Sequence, residues 1–135
     1  MTKSVFQVTF PVRFADCDPD GIAFYPRYFE MINNVVEEWM ASMDWSFGYL
    51  VKELGDGLPT VNIDCQFLSP SRLGDQLNFT LKVLKLGQSS LTVRIEAMNN
   101  GTLALGTTNV LVYRTESKVI PKLLRERMTD YLHES

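Results

Sequence analysis

The chain has 135 residues and a formal net charge of −3, with 45% hydrophobic and 21% charged residues. That size and balance predict one globular domain over residues 1–135. An acidic chain with no Lys/Arg run argues against a nucleic-acid partner, no apolar stretch reaches the ~18 residues of a membrane span, and Cys17 and Cys65 make no disulfide framework.

Met1-Thr2-Lys3-Ser4 leads directly into strand-like residues with no signal-peptide pattern, so a reduced, cytoplasmic protein is expected. From Val5 to Phe14 the sequence alternates. Phe6, Val8, Phe10, Val12 and Phe14 share one face, and Gln7, Thr9 and Arg13 share the other, which predicts a half-buried strand. Asp16 to Gly21 is a loop punctuated by Pro19 and Gly21. Pro26 to about Met43 predicts a long helix, with Pro26 at its first position. Tyr28, Met31, Ile32, Val35, Val36, Trp39, Met40 and Met43 recur at helical spacing, a face wide enough to be buried on more than one side.

Asp44 to Leu58 is a connection with a short helix before Gly55-Asp56-Gly57. Four strands are then expected. Pro59–Leu68 places Val61, Ile63, Cys65 and Phe67 on one face; Gln76–Leu86 places Leu77, Phe79, Leu81 and Val83 together; Leu91–Met98 and Thr102–Thr115 follow, with Gly106 a candidate bulge. Gly87-Gln88-Ser89 and Asn99-Asn100-Gly101 read as hairpin turns, so these strands are antiparallel. Pro121 to Leu132 predicts a terminal helix. One long apolar helix beside such a sheet must lie on its concave face, an α+β architecture.

Asp16, Asp18 and Asp20 alternate at the junction between the first strand and the long helix, more acid than a turn requires. Asp16-x-Asp18-x-Asp20-Gly21 copies the opening of an EF-hand loop, but Arg27 stands where the closing Glu belongs, and no metal is expected. Cys17 lies between two carboxylates that raise its pKa, so it is expected to be structural rather than nucleophilic. His133, the sole histidine, is expected in an exposed tail. Asp20-Gly21 suits a turn, Asp16 can pair with Arg13 or with loop N–H groups, and Asp18 is left as the candidate functional acid. The helix beginning at Tyr25-Pro26 offers free N–H groups and a positive dipole end near Asp18. A carboxylate beside such an oxyanion-stabilising end is a minimal acyl-transfer site.

Asp16-Cys17-Asp18-Pro19-Asp20-Gly21-Ile22, followed by Phe24-Tyr25-Pro26-Arg27-Tyr28, resembles the signature of the 4-hydroxybenzoyl-CoA thioesterase family, and Ser71-Arg72-Leu73-Gly74-Asp75 resembles that family's turn before its third strand. The resemblance implies a hotdog fold, a five-stranded antiparallel sheet wrapped around one central helix with a short C-terminal helix. It implies hydrolysis of an acyl-CoA to a carboxylic acid and free CoA, with Asp18 as nucleophile or general base and the Tyr25 backbone N–H polarising the carbonyl. It implies no metal or organic cofactor, and a homodimer or homotetramer with sites at subunit interfaces. Phe24 and Tyr28 are candidates for the acyl pocket, Asn33 for a polar group in it, and Arg72 and Lys85 for the CoA phosphates. The family's basic cluster is absent from Lys85-Leu86-Gly87-Gln88-Ser89-Ser90, where only Lys85 is cationic. A non-catalytic hotdog module binding acyl-CoA or acyl carrier protein is the alternative. A hotdog hydratase would want a histidine near the helix start, which this chain lacks.

Overall fold

The computed structural model describes residues 3–133; Met1, Thr2, Glu134 and Ser135, at the ends of the expected domain, lie outside them. Five strands form one antiparallel sheet in the order β1-β3-β4-β5-β2. They are β1 (Phe6–Pro11), β2 (Thr60–Phe67), β3 (Gln76–Leu86), β4 (Ser90–Asn99) and β5 (Thr102–Val112). The helix α1 (Tyr25–Ser42) packs over β1 and β3, and α2 (Lys122–Thr129) closes the chain. No helix among the described residues is long and apolar enough to cross a membrane.

Period-2 patterning predicts the central strands well because both of their neighbours are present. Leu77, Phe79, Leu81 and Val83 of β3 and Leu91, Val93, Ile95 and Ala97 of β4 are buried beneath α1. Asn100 and Gly101 both take positive φ, +50° and +86°, as a tight two-residue hairpin requires. On α1 the buried face runs from Tyr28 to Met40, while Glu30, Asn33, Asn34 and Glu38 stay exposed, so the helix buries one broad face rather than several.

Several expectations are corrected. The first strand ends at Pro11, and Phe14 leaves the buried face entirely, because the Arg13 N–H donates to Asp16 Oδ2 at 2.8 Å and coils Phe14–Asp16 into a 3₁₀ turn. Pro26 is the second helical residue, not the first. The connection after α1 carries a π-helical turn, Tyr49–Glu53, anchored by buried Leu50. β2 crosses to the far edge of the sheet instead of pairing with β3, and its apolar face is only partly covered: Ile63 is 44% and Phe67 45% exposed. A register shift between Thr60 and Asn62 also moves Val61 off that face. Gly106 pairs in register with Glu96, and the irregularity falls at Ala97/Met98 of β4 instead.

β5 stops at Val112 because Tyr113 turns inward. Its hydroxyl donates to Asp56 Oδ2 at 2.6 Å and accepts from Trp45 Nε1 at 3.1 Å, tying the 44–58 connection to the sheet. His133 is half-buried rather than loose. Its Nε2 lies 2.8 Å from the Ser4 carbonyl, while the Tyr131–His133 segment pairs beside Val83.

Candidate active site

The acidic loop folds as a miniature hairpin. Cys17 pairs with Ala23, the Asp18 N–H donates to the Ile22 carbonyl at 2.9 Å, and the Phe24 N–H donates to the Asp16 carbonyl at 2.8 Å. Gly21 closes the tip at φ +76°, a conformation that costs an L side chain energy. The tip is braced from outside: the Ala23 N–H donates to the Ser71 carbonyl and the Leu73 N–H to the Gly21 carbonyl, at 2.8 and 3.0 Å.

The three carboxylates do not converge. Asp16 caps its own turn at Arg13. Asp18, the candidate functional acid, also serves the turn, since its Oδ1 accepts from the N–H groups of Asp20 and Ile22 at 2.9 and 3.3 Å. Oδ2 has no partner among the described residues. One oxygen thus fixes the carboxylate while the other faces outward. Asp18 lines a cleft of about 530 Å³ with Phe14, Ala15, Cys17, Pro19, Gly21 and Leu73. The Cys17 thiol in the same cleft is pushed up in pKa by desolvation and then by the charges of Asp16 and Asp18, so it is a poor nucleophile.

Tyr25 opens α1. The Phe24 N–H is spent on Asp16, Pro26 has none, and the Arg27 N–H donates to the Phe24 carbonyl. No side chain caps the helix. Among the described residues the Tyr25 N–H has no acceptor, so it is left at the positive end of an 18-residue helix. A free N–H there is suited to a carbonyl oxygen that gains negative charge.

Tyr25 lines a second cleft of about 550 Å³ with Ile22, Tyr28, Phe67, Leu68 and Pro70. Rings cluster around Phe67, with Tyr28, Phe29 and Tyr25 at centroid distances of 5.6, 6.0 and 6.2 Å. Gly21 lines the cleft of Asp18, and its chain neighbours Ile22 and Ala23 line that of Tyr25, so one short hairpin contributes to both clefts.

The other sequence candidates scatter. Phe24 is about half exposed, its ring 5.5 Å from that of Tyr25. Tyr28 is buried in the floor of the apolar cleft. Asn33 lies two turns along α1, where its Nδ2 donates to Glu37 Oε2 at 2.7 Å. Arg72 pairs through its backbone with Ile22 and so lies against the hairpin. Lys85 lies near the opposite end of β3, roughly 30 Å along the strand from Gln76, and does not join the group within one chain. Sequence reasoning missed Phe67 and Leu68 as cleft residues, because it read Phe67 only as one face of a strand, and no local pattern brings that strand beside the helix start.

Comparison with known proteins gives the family and the fold. The family model of the thioesterase superfamily matches residues 20–104, more than half of the chain. A 1,4-dihydroxy-2-naphthoyl-CoA hydrolase of Prochlorococcus marinus (strain NATL1A) is 28% identical over 110 residues, covering 73% of this chain and 70% of that protein. Among solved structures, a Staphylococcus aureus protein in complex with CoA superposes with a TM-score of 0.88 at 20% identity, over 97% of this chain and 85% of that one. The 4-hydroxybenzoyl-CoA thioesterase of Pseudomonas sp. strain CBS-3 superposes with a TM-score of 0.75 at 19% identity, over 83% of this chain and 85% of that one. With that family match and a five-stranded antiparallel sheet packed by one long helix, the chain belongs to the thioesterase superfamily and is a hotdog-fold thioester hydrolase.

Proposed function

We propose that the protein hydrolyses an acyl-CoA to a carboxylic acid and free CoA, with Asp18 as the reacting carboxylate and the Tyr25 N–H as the oxyanion donor. The observation that carries this reading is the pair of unspent groups flanking one hairpin: Asp18 Oδ2 and the Tyr25 N–H, each without a partner among the described residues. The thioester carbonyl oxygen accepts from Tyr25. As a base, Asp18 takes a proton from water while the oxygen of that water bonds to the carbonyl carbon. The C–S bond then breaks, and CoA leaves as a thiolate that is reprotonated. As a nucleophile, Asp18 forms an acyl anhydride that water cleaves in a second step. Single-turnover hydrolysis in ¹⁸O water separates the two, because only the anhydride route carries label into Asp18.

The apolar cleft of Tyr25, Tyr28 and Phe67 takes the acyl group in this reading. Its aromatic lining suits a flat aromatic acyl group, the type named for the 1,4-dihydroxy-2-naphthoyl-CoA and 4-hydroxybenzoyl-CoA relatives. Phe24 shields the mouth of the cleft, and Asn33 is assigned to a polar substituent reaching past Phe29. Arg72 is assigned to a CoA phosphate, and Lys85 serves that role from a second copy of the chain. The exposed edge and face of β2 favour such a copy: pairing β2 with β2 makes a homodimer, and two dimers make a homotetramer. The whole chain, 1–135, acts as one domain, and the free thiols of Cys17 and Cys65 suit the cytoplasm.

The test is CoA release from aromatic, short-chain and long-chain acyl-CoAs by wild type and by Asp18→Asn. Loss of the acid is expected to lower kcat by roughly 10²- to 10⁴-fold with folding intact. Folded wild type that holds acyl-CoA unchanged would instead mark a binding module, and equal rates in both proteins would remove Asp18 from the mechanism.

A further inference from the structure

We propose that a small pocket between α1 and the end of β1 holds a small organic carboxylate with an apolar body, bound through the Arg13 guanidinium and the Asn34 side-chain amide. The pocket shares no lining residue with either cleft of the hairpin, and it depends on neither Asp18 nor Tyr25.

The pocket forms where β1 stops. Pro11 ends the strand, and the 3₁₀ turn Phe14–Asp16 follows two residues later. A space of about 180 Å³ remains between the strand end and the first turns of α1. Arg27, Met31 and Asn34 stand at i, i+4 and i+7 on α1 and so line it from one stripe of the helix. Met31 is buried and Phe10 and Pro11 are half-buried, which makes part of the wall apolar. Arg13 joins the lining from just ahead of the turn.

Its polar groups divide into engaged and free. Both Glu30 carboxylate oxygens accept from Arg27 Nη1, at 2.9 and 3.1 Å. Asp16 Oδ2 accepts from the Arg13 backbone N–H at 2.8 Å. The Arg13 guanidinium and the Asn34 amide make no hydrogen bond or ion pair among the described residues. A guanidinium presents a planar fork of donors that matches a carboxylate, and the amide adds a donor beside it. An inorganic anion gains nothing from Phe10, Pro11 and Met31, and a neutral apolar molecule gains nothing from Arg13. A carboxylate with an apolar body uses both. The charges of Asp16 and Glu30 remain nearby and oppose an anion, so binding depends strongly on Arg13. The space is smaller than the ~300–1,000 Å³ of a drug-sized site, which restricts the body to a single ring or a short chain. A thioester hydrolase releases a carboxylic acid, so compounds of this class arise from its own reaction.

The test is NMR titration of ¹⁵N-labelled protein with benzoate, with benzamide and inorganic phosphate as controls that lack the charge or the apolar body. Benzoate is expected to shift the Asn34 side-chain amide and the backbone amides of Arg13, Arg27 and Met31, and to bind more tightly than either control. Arg13→Gln, which keeps the backbone bond to Asp16, is expected to weaken benzoate binding about tenfold or more, and Asn34→Ala roughly threefold. Both positions are exposed, and thermal melts check that the variants fold. Shifts confined to Ile22, Ala23 and Tyr28 would place benzoate in the apolar cleft alone and overturn the proposal. So would benzamide or phosphate binding as tightly as benzoate, unchanged affinity in both variants, or an absence of saturable benzoate shifts. Acyl-CoA hydrolysis is no part of this readout, so failure of the proposed function leaves the site in place, and failure of the site leaves the function.

Discussion

At the residue scale, all three of Asp16, Asp18 and Asp75 hold backbone, and Asp18, the acid proposed to react, does so through one oxygen only. Asp16 and Asp75 each cap a turn, and the Asp75 carboxylate is held below its ordinary value of 3.8, first by the Arg72 N–H and then by the Asn99 side chain. A depressed folded-state pKa contributes stability that is present above the unfolded value and is lost as the pH falls through the folded one. Asp75→Asn is therefore expected to lower Tm at neutral pH, with the gap to wild type closing well below pH 3.8. Thermal melts across acid pH check this, and a gap independent of pH would refute it. Cys17→Ser is expected to retain hydrolysis within about twofold of wild type, because a thiol with a raised pKa holds little thiolate. A loss of rate comparable to that of Asp18→Asn would make Cys17 a reacting group.

At the scale of elements, two features govern the architecture. The first is the tether of the 44–58 connection. Burial, and then the bond to Asp56, keeps the Tyr113 phenol protonated well above its usual range. Tyr113→Phe leaves the Asp56 carboxylate and the Trp45 N–H without that hydroxyl, and is expected to cost about 1–3 kcal/mol in denaturant unfolding. A stability equal to wild type would show that water replaces the hydroxyl. The second feature is β2, an edge strand whose Ile63 and Phe67 stay nearly half exposed among the described residues. Ile63→Glu places a charge in the proposed subunit contact and is expected to yield monomer by light scattering while the fold survives. An unchanged assembly would locate the contact elsewhere.

Across the whole molecule, the alternation of β3 and β4 and the helical period of α1 were legible because burial there depends on side chains patterned within the chain itself. The acidic loop stands out in the sequence because it holds more carboxylate than a turn requires, although two of its acids prove to hold loop backbone. Period alone misplaced Phe14 and left the surroundings of the β2 face open, since an alternating apolar run looks the same whether it meets a core or solvent. Asp16 hydrogen bonding, not hydropathy, ends the first strand; sheet order, which no local pattern encodes, moves β2 to the edge. The sequence by itself determined the element types, the antiparallel sheet and the identity of the candidate acid. Only the tertiary structure decided which oxygen of Asp18 is spent, that Pro26 and Asp16 together leave the Tyr25 N–H free, and that Arg13 and Asn34 line one pocket. The reason is physical: hydrogen-bond partners and solvent exposure are properties of groups brought together from distant parts of the chain, and neighbours in sequence do not determine them.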